Sequence, residues 1–166
     1  AARFNHIYGD VFNLPDAVIS SEAGILPGID GRKMSKSYNN TIPIFLDEKA
    51  LLKAIRKIKT NSLEPGVPKD PENCTVFQLY KAFASISQIE EMEVRYGDGI
   101  GWGEAKDILF SLVEEKIKPF REKYSEIIKE KSYLENTLTE GSVKARQAAS
   151  RTLEDVRDAV GIKSFQ

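Results

Sequence analysis

Beyond Leu46 the apolar residues of this chain recur at helical spacing, and that periodicity sets the fold class. Leu51, Leu52, Ile55 and Ile58 share one face behind Asp47, whose carboxylate can take a bond from the free amides of a first helical turn. A loop from Asn61 to Asn73 follows, holding Pro65, Gly66, Pro68 and Pro71. Val76, Phe77, Tyr80, Phe83 and Ala84 mark a second amphipathic helix. Ser87 and Glu90 have the spacing of a capping box and predict a third helix, stopping near Gly97. After the glycine-rich turn Gly97 to Gly103, a long helix carries Ala105, Ile108, Leu109, Leu112, Val113, Ile117, Phe120, Tyr124 and Ile127. Pro119 lies inside it and predicts a bend, because its ring removes a backbone donor and crowds the preceding turn. Ser132 and Glu135 predict the cap of a last helix with Ala145, Ala149, Leu153, Val156 and Val160, ended by Gly161. The chain therefore reads as mainly α, a helical bundle with short connections.

The stretch before Leu46 is different. Ala1 to Tyr8 reads as the tail of a helix closed by Gly9, with no capping residue ahead of it. That predicts a piece of a longer protein. Val11-Phe12, Ala17-Val18-Ile19 and Ile42-Pro43-Ile44-Phe45 are short apolar runs, either edge strands or extended loops. Three such runs cannot close a sheet, so they predict the border of a sheet whose remainder is absent.

Charge and composition remove several functions. Lys and Arg total 24 against 25 Asp and Glu, so the surface as a whole does not attract nucleic acid and an RNA contact needs a local basic stripe. A single cysteine, Cys74, excludes an internal disulfide, and a single histidine, His6, excludes a His-based zinc cluster. No apolar run is long enough to span a bilayer, and Ala1 to Asn5 lacks the apolar stretch of a secretory signal. The glycines from Gly97 to Gly103 follow no strand and lack dinucleotide spacing, so they do not read as a nucleotide site.

Chemistry concentrates in Gly31-Arg32-Lys33-Met34-Ser35-Lys36-Ser37. Three cations fall within five residues, with two serines between or after them and a glycine at the entrance. A loop so dense in donors suits a polyphosphate: lysine ammoniums act as mobile point charges, and hydroxyls and amides fill the remaining acceptor sites. Charge alone leaves a plain solvated loop equally open.

Lys33-Met34-Ser35-Lys36-Ser37 matches, letter for letter, the signature loop of class I aminoacyl-tRNA synthetases. Leu26 to Arg32 before it, Tyr38 to Ile42 after it, Val76 to Tyr80, Gly99 to Gly103 and Lys144 to Gly161 make the whole chain resemble the bacterial-type tryptophanyl-tRNA synthetase family. The resemblance implies a C-terminal portion: residues 1–45 as the edge of a Rossmann-like class I catalytic domain with its lysine loop, and residues 46–166 as a helical anticodon-binding domain. It implies ATP, with Mg2+ held mainly by the other half, and L-tryptophan and tRNA(Trp) as partners. It further implies a cytoplasmic, homodimeric parent without membrane contact. Lys33 and Lys36 would be catalytic, meeting charge that builds on the leaving pyrophosphate, and Met34, Ser35 and Ser37 would complete ATP binding, Met34 as a packing anchor. The family's two-histidine signature is absent, since His6-Ile7-Tyr8-Gly9 resembles it only superficially. The chain alone is therefore expected not to activate an amino acid.

For RNA, Lys49, Lys53, Arg56 and Lys57 form a stripe opposite the apolar face of their helix, and Lys144 and Arg146 lie in the last helix. A solvated helix face is the plainer reading of the first set, and more so of the second, whose cations are spread round the helix. Phe77, Tyr80, Phe83, Phe110, Phe120 and Tyr124 fall mostly on apolar faces and predict core, and Trp102 predicts a cap on the bundle. The competing function is a non-catalytic helical module that binds RNA or protein and keeps the loop by descent.

Overall fold

The computed structural model describes residues 1–18 and 25–162. Among the described residues are six α-helices and one short 3-10 turn. These are α1 (Ala2–Tyr8), the turn η1 (Lys36–Tyr38), α2 (Glu48–Arg56), α3 (Thr75–Lys81), α4 (Ile86–Gly97), α5 (Trp102–Ile127) and α6 (Lys131–Ala159). The chain divides into two compact units, Ile19–Ser125 and Ala1–Val18 with Glu126–Gln166.

The larger unit holds the core. Leu51, Ile55 and Ile58 from α2 and its end meet Val76, Phe77, Leu79 and Tyr80 of α3, Met92 and Tyr96 of α4, and Ala105, Leu109, Leu112, Val113 and Ile117 of α5. Their spacing by three and four residues is what puts them on one face of each helix. Asp47 caps α2 as expected, its carboxylate accepting from the Ala50 amide at 2.9 Å. The capping box of α4 sits two residues earlier than the sequence suggests. Ser85 and Gln88 form it, the Ser85 amide donating to Gln88 Oε1 at 2.9 Å and the Gln88 amide to Ser85 Oγ at 3.4 Å, so Ser87 lies inside the helix. α3 ends at Lys81, so Phe83 and Ala84 lie beyond it, yet both still pack against the core. α5 runs through Pro119 without interruption as a single helix.

The connection between α2 and α3 is fastened from within. Lys69 is only 5% exposed, and its ammonium donates to the carbonyls of Glu64 and Val67 at 2.9 Å and Gly99 at 3.4 Å, 5.4 Å from the Trp102 ring centre. Trp102 in turn donates from Nε1 to Asn61 Oδ1 at 3.1 Å and meets Tyr96 edge-on. It caps the bundle as a half-buried residue.

In the smaller unit, α1 ends at Gly9, with a positive φ of 91°, and the Asn5 side chain makes two bonds with the Phe12 backbone at 2.7 and 3.0 Å. α6 starts one residue before Ser132, at Lys131. Its N-cap, Glu130, makes no side-chain cap bond, so the expected box of Ser132 and Glu135 does not form.

Two expectations are corrected. No strand occurs among the described residues. Val11, Ala17-Val18 and Ile42-Pro43 have no regular structure, Phe12 is a bend, and Ile44-Phe45 form a turn in which the Leu46 amide donates to the Pro43 carbonyl at 3.4 Å. Ile19 lies outside the described residues, and the sole β feature among those described is an isolated bridge between Pro27 and Lys33. Short apolar runs need a neighbouring strand to satisfy their backbone, and none lies alongside them among the described residues. Phe120 and Tyr124 are not core: they are 66% and 45% exposed, and Tyr124 stacks on Phe45 with ring centres 4.7 Å apart.

Candidate functional site

The lysine loop is a tight hairpin closed by backbone bonds. Met34 donates to Leu26 at 2.8 Å, Gly28 to Arg32 at 2.7 Å and Gly31 to Gly28 at 3.0 Å. The loop is fixed to the bundle where the Lys59 amide donates to Ile29 at 2.8 Å. Gly31 turns the chain at a φ of 85°. Ser35 then caps η1, its Oγ accepting from the Ser37 amide at 3.2 Å, and Asn39 leaves the turn in the left-handed region at a φ of 50°.

The three loop cations have different fates. Arg32 is tied off: its Nη2 lies 2.6 Å and its Nε 2.7 Å from Asp30 Oδ2, and its guanidinium sits 4.5 Å from the centre of the Tyr38 ring. Lys33 and Lys36 are exposed, and neither ammonium has a hydrogen bond or ion pair with another described residue. Ser35 is half-buried and Ser37 exposed. Met34 packs against the core and lines an apolar cavity of about 250 Å3 with Leu26, Ile42, Leu79, Phe83 and Val113. The loop thus has an apolar underside and two exposed ammoniums with no partner among the described residues, the arrangement that suits an anion with several oxygens. These donors fit phosphate oxygens, not a divalent cation. No group of three or more His, Cys, Asp or Glu among the described residues could hold a metal.

Two residues that sequence reasoning passed over hold the loop together, Asn40 and Asp30. Asn40, 1% exposed, donates from Nδ2 to Asp30 Oδ1 at 2.7 Å and to the Lys33 carbonyl at 3.2 Å, and accepts at Oδ1 from the Ser35 amide at 2.8 Å. The Asn40 amide is the largest influence holding the Asp30 carboxyl down at about 2, and Arg32 adds to it against the opposing effect of burial. An Asn-Asn pair reads as a turn from sequence; the signal for more was an aspartate and an asparagine flanking a loop rich in donors.

The candidate RNA residues divide similarly. Lys49, Lys53 and Lys57 are exposed with no partner among the described residues. Arg56 is engaged by Asp107 at 3.2 Å, and its carbonyl accepts from Lys106 Nζ at 3.1 Å. Lys144 and Arg146 are exposed on α6, which belongs to the smaller unit. Cys74 is buried with its Sγ 3.3 Å from the Tyr96 hydroxyl, and burial pushes that phenol's pKa up.

Comparison with known proteins follows the same lines. The family model for tRNA synthetases class I (W and Y) matches residues 1–152. A tryptophan--tRNA ligase of Pseudomonas syringae is 45% identical over 167 residues, covering 99% of this chain and 37% of that protein. One from Neisseria meningitidis is 44% identical over 166 residues, covering 100% and 49%. The crystal structure of tryptophanyl-tRNA synthetase from Campylobacter jejuni, complexed with ADP and tryptophan, superposes with a TM-score of 0.76 at 41% identity, over 97% of this chain and 51% of that one. The chain spans about two fifths to one half of the curated relatives it matches.

Proposed function

The chain belongs to the class I tRNA synthetases for tryptophan and tyrosine, and on that premise we propose that it is the portion of a tryptophan--tRNA ligase carrying the ATP loop and the helical tRNA-binding region. In the proposed reaction the tryptophan carboxylate attacks the α-phosphorus of ATP, the bond to the bridging oxygen breaks and pyrophosphate leaves. The tRNA then takes the aminoacyl group and AMP is released. Residues 1–45 serve the first step and residues 46–166 the tRNA. The parent is a cytoplasmic homodimer, and this piece is inactive alone because its single histidine leaves it without the family's two-histidine signature. Mg2+ accompanies ATP and takes its ligands from elsewhere.

One observation carries the reading. Of the three loop cations, Arg32 is neutralised by Asp30, while Lys33 and Lys36 are exposed and unpaired among the described residues. Both lysines can reach charge as it develops on the leaving pyrophosphate, and a well-aimed donor at such a point is worth about 3 kcal/mol, or roughly a hundredfold in rate. Lys36→Ala in the full-length protein is expected to lower tryptophan-dependent ATP–pyrophosphate exchange by about that factor. An unchanged rate would leave the non-catalytic RNA- or protein-binding module as the function of this chain.

A further inference from the structure

Asn40 is a primary amide with two donors and one acceptor oxygen, and the fold spends all three functions on one loop. Its Nδ2 bonds Asp30 Oδ1 at 2.7 Å and the Lys33 carbonyl at 3.2 Å, and its Oδ1 takes the Ser35 amide at 2.8 Å. Its own carbonyl accepts from Ile29 at 3.0 Å. These bonds fix the amide's orientation, because reversing it would turn the oxygen onto a carboxylate and a carbonyl. At 1% exposure, they are shielded from competing water.

The pattern is directed at Lys33 and Lys36, the two lysines that have no partner among the described residues. Lys33 is held by its own carbonyl. Lys36 opens the turn that Ser35 caps, and Ser35 is held by its amide. The slot is cut to fit: a Cβ on Gly28 would lie 2.4 Å from Asn40 Cγ and Nδ2. We propose that Asn40 is a positioning residue of the triphosphate site, acting through the Lys33 carbonyl and the Ser35 amide to aim the Lys33 and Lys36 ammoniums. This rests on the reading of the loop as an ATP site. Asn40 touches no substrate itself. It removes the loop's freedom to carry the two charges apart, so that the phosphates meet a preformed pair.

The test is tryptophan-dependent ATP–pyrophosphate exchange by the full-length protein. Asn40→Ala is expected to lower kcat by roughly 10- to 100-fold and leave the KM for tryptophan unchanged. Asn40→Asp keeps the size and the acceptor oxygen but loses both donors and faces Asp30 with a second charge. It is expected to fold and to lose at least about tenfold in kcat. Combined with Lys33→Ala and Lys36→Ala together, either change should cost less than about threefold beyond that double variant, because both ammoniums that Asn40 aims are then gone. Folded Asn40 variants with kcat within about threefold of the parent would overturn the inference, as would losses that multiply with that of the Lys33→Ala, Lys36→Ala double variant. A residue that only supported the fold would shift the KM for tryptophan as well, and its loss would persist in the Lys33→Ala, Lys36→Ala background. If Lys36→Ala itself has no effect, the ATP-site reading fails first, and this inference with it.

Discussion

Gly28 shows how closely the loop is drawn in around its polar centre. Its missing side chain is space that the Asn40 amide uses. Gly28→Ala is expected to destabilise the chain by about 1–3 kcal/mol, the usual cost of overfilling a packed site, measurable by urea unfolding. Asp30 gives a signature in pH. Its folded pKa, about 2, lies below the ordinary 3.8, so the carboxylate binds fewer protons folded than unfolded. Its contribution is complete above about pH 4 and is lost as pH falls towards 2. Asp30→Asn should flatten the acid limb of the stability curve over that window. A limb identical to that of the parent would show that the bond to Asn40 has no energetic weight. Lys69 is the other buried polar residue among those described. Lys69→Met leaves three carbonyls without their donor and should cost about 1–3 kcal/mol, with a shift in Trp102 fluorescence. Residues of this kind are the hardest to read from sequence. Lys33 and Lys36 declare themselves by charge and spacing, but Asn40 and Lys69 matter because they are buried. Burial belongs to the folded chain, and both sit in stretches that otherwise look like turns.

At the scale of elements, local chemistry was legible wherever one side chain sets one boundary. Asp47 capping α2 is such a case. Where two overlapping patterns compete, packing decides. Ser85 with Gln88 and Ser87 with Glu90 both have capping spacing, and the helix starts at the first, which adds a turn ahead of Ile89, itself packed against the core. Ser85→Ala should therefore cost about 1 kcal/mol by thermal unfolding, while Ser87→Ala should be nearly neutral. The strand expectation failed for a different reason. Alternation and β-branched residues predict a willingness to pair, but a strand exists only with a partner, and Ile42 to Phe45 have none beside them among the described residues. Pro119 lies within α5 because an otherwise regular helix of 26 residues absorbs one missing bond.

At the scale of the molecule, near-neutral total charge makes any RNA binding a matter of local stripes. With Arg56 engaged by Asp107, the cations on α2 and its end with no partner among the described residues are Lys49, Lys53 and Lys57. Replacing Lys53 and Lys57 by alanine is expected to lower the salt dependence of tRNA binding by about one unit of slope for each phosphate that is no longer neutralised. An unchanged slope would remove α2 from the tRNA surface and leave Lys144 and Arg146 as the candidates. The two units also differ in how their helices are secured. α5 buries five residues in the core, whereas α6, with 29 residues, buries none. Amide protons of α6 should then trade with deuterium by fraying, at rates indifferent to dilute denaturant, while those of Leu109 to Val113 wait for the bundle to open as a whole.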